Sequence, residues 1–328
     1  DMISIKKYTE KLNNIWDDFI LKSNNGTIFH TQSFLSYHQN RTFANHSLLF
    51  YNKATLLAVL PAVVIKYNGK SILFSHPGAS FGGVVYSQNL NFKIYNDIIS
   101  CLEKYCVKNK LDMVRLINTP DIYSKTNDDS FNYLLQWNGF VQKEIYISHY
   151  LRNNNKNETL KLLNKRKQRY IKNIKQKNKF SYQLNQRFDL FYPILLESKK
   201  LFQTTPTHSL EELFLLQKKF PNEIHLLLFY HNKTAVGGSV IFFTSKNTAL
   251  IFYNAINPRY KKDHLSTYQL YQCMRFAKKN NKQVIDFGVS HTPETKHPFD
   301  PKFSLIQFKE HFNTKGVLRI VYEKVFNE

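Results

Sequence analysis

Two side chains near the ends of apolar runs could take part in proton transfer. Asp286 follows Val284-Ile285 and precedes Gly288, so its carboxylate could bind or deprotonate an amine, or it could cap the following turn. Tyr253 is either a reacting phenol or a packed strand aromatic. A carboxylate and a phenol are side chains that can accept or donate a proton in general acid–base catalysis. Asp286 and Tyr253 are therefore the candidate catalytic residues.

A second set of polar and basic residues follows the apolar run that contains Tyr253. Basic side chains and the backbone amides of a helix N-terminus can hold phosphate, so this segment could bind a phosphate-bearing co-substrate, called the donor here. Solvated surface residues are the alternative for the basic members of the set. The candidate donor-binding residues are Asn254, Arg259, Tyr260, His264 and Ser266.

The candidate acceptor-binding residues are scattered along the chain. A glycine-containing loop in the first half would let a substrate approach the backbone closely, although it could also be a simple tight turn. Near the C-terminal end, a lysine in the sequence FKEHF could contact an anionic acceptor or be an exposed helix residue. The acceptor set is His30, Gln32, His76, Ser80, Gly82, Arg166, Arg169 and Lys309.

The segment HTPETKHPFDP, residues 291–301, has two histidines but no pair of carboxylates at metal-ligand spacing. We interpret it as a mobile substrate loop and predict no metal site.

The elements that must position these residues form an internal duplication. Each half has a hairpin-like pair of apolar runs with Asn-Lys at the turn, then another strand, an amphipathic helix and a final strand. The fold class is α/β (α+β), with a mixed, mostly antiparallel sheet flanked by helices in each domain. We predict domains at 1–152 and 153–328. The paired elements are strands 71–75 and 249–254, helices 94–110 and 266–282, and strands 113–117 and 284–287.

A strongly basic segment, 153–179, opens the second predicted domain. Its apolar residues share one helical face, and Lys161, Lys165, Arg169 and Lys172 lie mostly on another, which predicts an exposed basic helix. Arg166 and Arg169 lie on it and could bind phosphate of a nucleotide-linked acceptor or of tRNA; a merely solvated face is the alternative.

Composition limits the class of protein. The 328 residues include 46 Lys and Arg against 24 Asp and Glu, a formal charge of +22. Such a charge favours tRNA, nucleotide-linked substrates, coenzyme A phosphates or an anionic membrane surface as partners, unless it reflects compositional bias. The three cysteines form no CxxC pair, which argues against a disulfide scaffold or zinc site. With no secretory signal or long apolar span, we expect a cytoplasmic location.

Several segments, taken in order, resemble the Fem-type branch of the GNAT acyltransferase superfamily. They are IFHTQSFLSYH (28–38), LFSHPGASFGG (73–83), NKRKQRYIKNIKQKNKF (164–180), AVGGSVIFF (235–243), LIFYNAINPRY (250–260), QVIDFG (283–288) and SLIQFKEHFNTKG (304–316). The resemblance implies tandem GNAT-like domains, and Arg166 and Arg169 match the family's motif positions. Two features depart from it: Gly82-Gly83-Val84-Val85 has no acidic residue after the glycine-rich loop, and there is no room for a coiled-coil arm.

Together these observations predict an acyltransferase without a tightly bound cofactor. The co-substrate would be an acyl-CoA or an aminoacyl-tRNA, and the acceptor an amino group of a cell-envelope precursor, a sugar or a small metabolite. A non-catalytic, basic nucleic-acid-binding protein and a degenerate GNAT scaffold are the alternatives.

Overall fold

The computed structural model describes residues 3–38, 43–153, 158–291 and 300–326. Its strands are β1 (Ser4–Lys7), β2 (Leu48–Asn52), β3 (Thr55–Leu60), β4 (Val63–Tyr67), β5 (Lys70–Ser75), β6 (Val85–Tyr86), β7 (Met113–Ile117), β8 (Val141–Arg152), β9 (Ser181–Asn185), β10 (Ile224–His231), β11 (Thr234–Phe243), β12 (Thr248–Ile256), β13 (Val284–Val289) and β14 (Lys315–Val325). Its helices are α1 (Asn13–Lys22), α2 (Gln32–Leu35), α3 (Phe92–Lys108), α4 (Ser130–Trp137), α5 (Thr159–Leu162), α6 (Lys165–Gln176), α7 (Phe188–Lys200), α8 (Leu210–Lys219), α9 (Leu265–Lys279) and α10 (Phe303–Glu310).

The chain divides into two compact units. The first comprises Asp1–Ile145 together with Leu318–Glu328, and the second comprises Tyr146–Val317. The C-terminal segment belongs to the first unit because β14 pairs with β7 through Val321–Val325. The sequence boundary at 152/153 had given all later residues to the second domain, whereas strand pairing returns the end of the chain to the first unit.

The first unit has two groups of strands. One runs in the order β1-β2-β3-β6, and the other includes β4, β5, β7 and β14, with β5 and β7 parallel. Helix α3 connects this parallel pair, and its N-terminus is capped by the Asn91 side chain, which accepts from Ile94 N at 2.9 Å. Ile98, Leu102 and Cys106 recur at a spacing of four residues and are buried in the core, as the amphipathic pattern predicted.

The second unit has one twisted series of strands, β9-β10-β11-β12-β13-β8, in which β12 and β13 are parallel and the other pairs are antiparallel. Helix α9 connects the parallel pair and packs on β11 and β12. Its Leu265, Cys273 and Met274 are fully buried with residues of the sheet. Helix α7 packs on the same two strands. This arrangement leaves the carboxyl ends of β12 and β13 beside the N-terminus of α9.

The predicted fold class is confirmed, with differences in the details of the repeat. Both hairpin turns occur where Asn-Lys predicted them, with Lys53 at φ +53° and Asn232 at φ +56°. The first half also has β1, β4, β6 and β8, which the duplication pattern did not predict. In the described part of the chain, no helix combines the length and the apolar character needed to cross a membrane.

Candidate functional site

The parallel strands β12 and β13 pair over only three residues and then separate. The ladder joins Thr248–Leu250 of β12 to the start of β13, and Leu250 opposite Asp286 is its last pair. Beyond that point β12 continues to Ile256, whereas β13 pairs with β8 across an irregularity that follows Asp286. Strands that stop pairing leave backbone donors and acceptors along their facing edges. An extended ligand could therefore bind between these edges by main-chain hydrogen bonds.

Asp286 lies where the two strands separate. Its side chain is completely buried, and Oδ1 accepts hydrogen bonds from Ser148 Oγ at 2.8 Å and from the Gly288 backbone N–H at 2.7 Å. Gly288 has φ +77°, a left-handed conformation that glycine adopts without strain. The carboxylate therefore holds the backbone turn at Gly288, as the capping interpretation predicts, and its role toward an amine stays a prediction. It lies inside β13 and not at the end of the strand.

Lys309 is also bound to this turn. The side chain is 5% exposed, and its Nζ donates to Gly288 O at 2.6 Å and to Val289 O at 3.2 Å. Because carbonyl oxygens hold the ammonium, it is a fixed positive charge beside the separation of the strands. The alternative of an exposed helix lysine is wrong.

His149 of β8 contributes a third titratable group. It is buried, and burial, followed by the nearby Lys309 ammonium, lowers the pKa of its imidazole, which is therefore neutral at pH 7. Ser148 and His149 were not among the sequence candidates. They belong to a strand that reaches β13 through a long-range antiparallel pairing, and no local motif signals that pairing.

Tyr253 lies on the part of β12 that has separated from β13. Its hydroxyl accepts the backbone N–H of His208 at 3.2 Å and lies 2.8 Å from His208 Nδ1. Burial raises the pKa of Tyr253 to about 12. At neutral pH this phenol is protonated and can donate a proton, but it cannot serve as a base.

Asn254 and Ser266 position helix α9. Asn254 Nδ2 donates to Ser266 Oγ at 2.9 Å, and Asn254 Oδ1 accepts from Ser239 Oγ and from Gln269 Nε2, both at 2.7 Å. These bonds join the middle of the sheet to the first turns of the helix. As donor-binding candidates, both residues would act through the helix N-terminus that they hold in place.

Basic and aromatic side chains of α6 surround the start of α9. The Tyr170 ring stacks on His264 with a centroid distance of 3.5 Å, and the guanidinium groups of Arg166 and Arg169 lie 5.6 Å and 6.0 Å from the Tyr170 ring centroid. Burial, then Lys167 and Arg166, lower the pKa of His264. The structure thus brings two predicted acceptor residues, Arg166 and Arg169, to a predicted donor residue, His264. We refer to Arg166, Lys167, Arg169 and His264 as the α6–α9 basic cluster.

Lys167 is the buried member of this cluster and was not a sequence candidate. It is 6% exposed, its Nζ donates to Thr267 Oγ1 at 2.9 Å, and it lies 3.9 Å from the ring centroid of Phe308 on α10. Burial, followed by the charge of Arg166, lowers the pKa of Lys167 to about 8. The sequence predicted an exposed basic helix here, and no local signal distinguished Lys167 from its basic neighbours.

The other two donor candidates lie in the turn Pro258–Tyr260. Arg259 is exposed to solvent. Tyr260 packs against Phe180 with ring centroids 5.8 Å apart, and its hydroxyl lies 3.4 Å from His231 Nδ1. Tyr260 therefore holds this turn against the sheet, while Arg259 is available at its surface.

In the first unit, His30 connects two segments. Its Nδ1 accepts the Thr27 backbone N–H at 2.9 Å, so Nε2 carries the proton and donates to Gly82 O at 3.1 Å. Burial lowers the pKa of His30 to about 4. A Cβ at Gly82 would lie 2.4 Å from the backbone of Ser75, so the glycine is required for packing.

The remaining acceptor candidates of the first unit lie in or near the same loop. Gln32 Oε1 accepts from Asn45 Nδ2 at 2.7 Å, and His76 Nδ1 accepts the Gly78 N–H at 3.1 Å. Burial, with smaller effects of His38 and His30, lowers the pKa of His76 to about 3. Ser80 O accepts from Arg319 Nη2 at 2.8 Å. These contacts describe a tightly packed turn, and the assignment of the loop to an acceptor stays a prediction.

The predicted substrate loop, for which we also predicted no metal site, lies mostly outside the described residues. Positions 292–299 of the segment 291–301 are not among them. Within the described ranges, no group of three or more His, Cys, Asp or Glu side chains is arranged to hold a metal ion.

No protein-family model and no curated protein matches the chain. Solved structures share its architecture, which is a tandem GNAT-like fold of the Fem type. The structure of FemX is similar over 99% of this chain and 98% of that protein, with 12% identity and a TM-score of 0.73. A tandem GNAT protein from the clavulanic acid biosynthesis pathway covers 99% of both chains, with 7% identity and a TM-score of 0.55. L-PGS from Bacillus licheniformis matches 96% of this chain and 91% of its own, with 10% identity and a TM-score of 0.57. These likenesses confirm the fold that the sequence resemblance predicted.

Proposed function

We propose that the protein transfers an acyl or aminoacyl group to an amine. The observation that carries this proposal is the separation of β12 and β13 at Asp286, next to the fixed ammonium of Lys309. Open strand edges can bind the extended part of an activated acyl donor, and a positive charge can stabilise an oxyanion. The Fem-type and GNAT-type fold supports the same class of reaction.

The donor phosphates would bind at the α6–α9 basic cluster. Two exposed guanidinium groups and the buried Lys167 ammonium lie beside the N-terminus of α9, whose amides favour anions. Lys167 contacts Phe308, the residue before Lys309, so α10 connects this cluster to the strand separation. Both an acyl-CoA and an aminoacyl-tRNA carry phosphate that this cluster could bind.

In the proposed reaction the neutral amine attacks the donor carbonyl, and a C–N bond forms while the carbonyl oxygen becomes an oxyanion. Lys309 stabilises that charge. Collapse then breaks the C–S bond of a thioester or the C–O bond of an ester. Tyr253, protonated at neutral pH, donates a proton to the leaving group, and Asp286 binds the attacking amine and accepts its proton. Proton return from Asp286 to Tyr253 through solvent restores both groups.

Donor binding is tested by calorimetric titration of the full chain with acetyl-CoA and, in parallel, with an aminoacyl-tRNA. Loss of the Arg166 and Arg169 guanidinium groups in a double alanine variant should weaken the true donor at least tenfold, because charge-assisted phosphate contacts are lost. Lys177→Ala is the matched control, since Lys177 is an exposed cation at the far end of the same helix. Equal weakening by the control would show that only general charge attraction is measured.

Turnover is tested with Asp286→Asn and Lys309→Met, using Asp189→Asn as an exposed acidic control. A general base typically contributes about 10²–10⁴ in rate, so a loss in that range is expected for Asp286→Asn. Both variants must retain donor binding and a cooperative unfolding transition. Full turnover in both would overturn the site assignment.

The acceptor would be an amino group of a cell-envelope precursor, a sugar or a small metabolite, and an anionic membrane surface could present it. The charge of +22 favours one alternative, a non-catalytic nucleic-acid-binding protein. That alternative predicts tight binding of arbitrary RNA that weakens steeply with salt, together with no turnover of any donor. Filter binding across a salt series distinguishes the two.

A further inference from the structure

The first unit contains a groove of its own, with a volume of about 340 Å³. The turn after β7, one face of α4, the start of β8 and alternate residues of β14 enclose it. Ligand sites of proteins typically occupy about 300–1,000 Å³, so this groove suits a compact molecule. It shares no residue with the site of the second unit.

The charge of the groove is opposite to that of the chain. Two carboxylates, Asp121 and Asp129, line it, and its described lining contains no Lys or Arg, whereas the whole chain carries +22. Burial, then the charge of Asp129, raise the pKa of Asp121, so the two carboxylates repel each other across the groove. A bound cation would relieve this repulsion.

Asp129 is available for a ligand for a local reason. It occupies the N-cap position of α4, yet its side chain makes no capping bond, because Asp128 Oδ1 accepts the Ser130 N–H at 2.9 Å instead. Aspartate is common at this position as a cap, and here the preceding residue has that role. The Asp129 carboxylate therefore lines the groove and makes no capping hydrogen bond to the helix.

Four amide side chains form the walls between the carboxylates. Asn118 Nδ2 donates to Asn132 Oδ1 at 3.1 Å, and Gln142 Nε2 donates to Gln136 Oε1 at 3.2 Å. An amide group has two N–H donors and an oxygen with two lone pairs, so each pair keeps capacity for further hydrogen bonds. The buried Asn118 Oδ1 has no partner among the described residues, which leaves an acceptor unsatisfied in the wall.

The rest of the groove is apolar and aromatic. Leu318, Ile320 and Tyr322 alternate along β14 and so share one face, while Tyr133 lines the α4 side. Tyr133 is 55% exposed, and its ring lies beside that of Phe92 with the centroids 6.1 Å apart, so much of the ring is open to a ligand. We propose that this groove binds a compact ligand that has a protonated amine together with several hydroxyl or amide groups: the carboxylates take the amine, the amides take the polar groups, and Tyr133 covers its apolar face.

Ligand-observed NMR and calorimetry of the full chain, without any acyl donor, test this proposal. Two ammonium probes distinguish the source of the polar groups: glucosamine supplies hydroxyls, and alanyl-alanine amide supplies amides. Glucose and N-acetyl-alanyl-alanine amide are the neutral counterparts. At least one ammonium probe should bind, and at least tenfold more tightly than its neutral counterpart.

Variants locate the binding. Asp129→Asn should weaken the bound probe about fivefold, and the double change of Asp121 and Asp129 to Asn on the order of 20-fold, since each partly exposed charge pair contributes modestly. Asp18→Asn, at an exposed acid of the same unit, should have no effect. Equal binding of charged and neutral probes, no binding of either ammonium probe, or unchanged affinity in the double variant would each overturn the proposal. None of these outcomes depends on acyl transfer.

Discussion

The buried His30 should make the first unit sensitive to mild acid. Its native pKa is about 4, against 6.5 for an exposed histidine, because burial disfavours the charged ring. Between pH 6.5 and pH 4 the unfolded chain takes up a proton that the native state does not. Stability is therefore full above pH 6.5 and is lost as the pH falls toward 4. From these two pKa values, the loss between pH 7 and pH 5 is about 2 kcal/mol for this residue alone.

Tryptophan fluorescence is the appropriate probe of this transition. Both tryptophans, Trp16 and Trp137, lie in the first unit, and Trp16 Nε1 donates to His30 O at 2.8 Å. Urea unfolding of wild type and His30→Gln at pH 7 and pH 5 gives four free energies. At pH 7, the difference in unfolding free energy between wild type and His30→Gln measures the hydrogen bonds that Gln does not replace. The change in that difference between pH 7 and pH 5 measures the effect of protonating His30.

In His30→Gln the loss of stability between pH 7 and pH 5 should be smaller than in wild type by about 2 kcal/mol. A loss of equal size in both proteins would refute the reasoning, because it would mean that this ring either is protonated in the native state or exchanges its proton without cost. His76 provides a second case, since its native pKa is about 3 and its removal should act in the same direction.

Three further outcomes follow from single contacts. Gly82→Ala should destabilise the tryptophan-detected transition by about 3 kcal/mol, because the new Cβ would lie 2.4 Å from the Ser75 backbone; wild-type stability would contradict the packing. Above pH 8 Lys167 is neutral in the native state, whereas in the unfolded chain it stays charged up to pH 10.5. The free energy of unfolding should therefore rise with pH between 8 and 10.5, by on the order of 2 kcal/mol. Urea unfolding of Lys167→Met should show no such rise. Tyr253→Phe removes the acceptor of the His208 N–H and should cost about 1–2 kcal/mol in thermal unfolding followed by circular dichroism, and no loss would mean that the bond is replaced.

Local periodicity accounts for the parts of the fold that the sequence predicted. Helices α3 and α9 have apolar residues at spacings of three and four, and the second hairpin turn has Asn232, a residue type that tolerates positive φ, so neighbouring residues suffice to specify them. The pairing of β14 with β7 joins positions some two hundred residues apart. No short-range pattern encodes such a pairing, and for that reason the C-terminal segment was given to the other domain.

The sequence could not show in which direction the side chains of the candidate site residues point. Asp286 was identified because a carboxylate after an apolar run is conspicuous, but its burial and its bond to Ser148 depend on β8. On β12 the register shifts between Val240 and Ile241 of the partner strand, so Tyr253 and Asn254 do not follow a simple alternation from the start of the strand. A bulge of this kind changes the phase of all later residues, and a period-two pattern cannot locate it.

The return of the chain to its first unit also sets an order of events during synthesis. Residues 318–326 leave the ribosome after every residue of the second unit, yet they supply the partner of β7 and the buried side chains of Val321 and Tyr322. Until then the backbone N–H and C=O groups along one edge of β7 are unpaired, and an unpaired strand edge can pair with another chain and aggregate. A nascent chain that has emerged only to residue 317 would therefore hold a finished second unit and an unfinished first one, the reverse of the usual N-to-C sequence of domain folding.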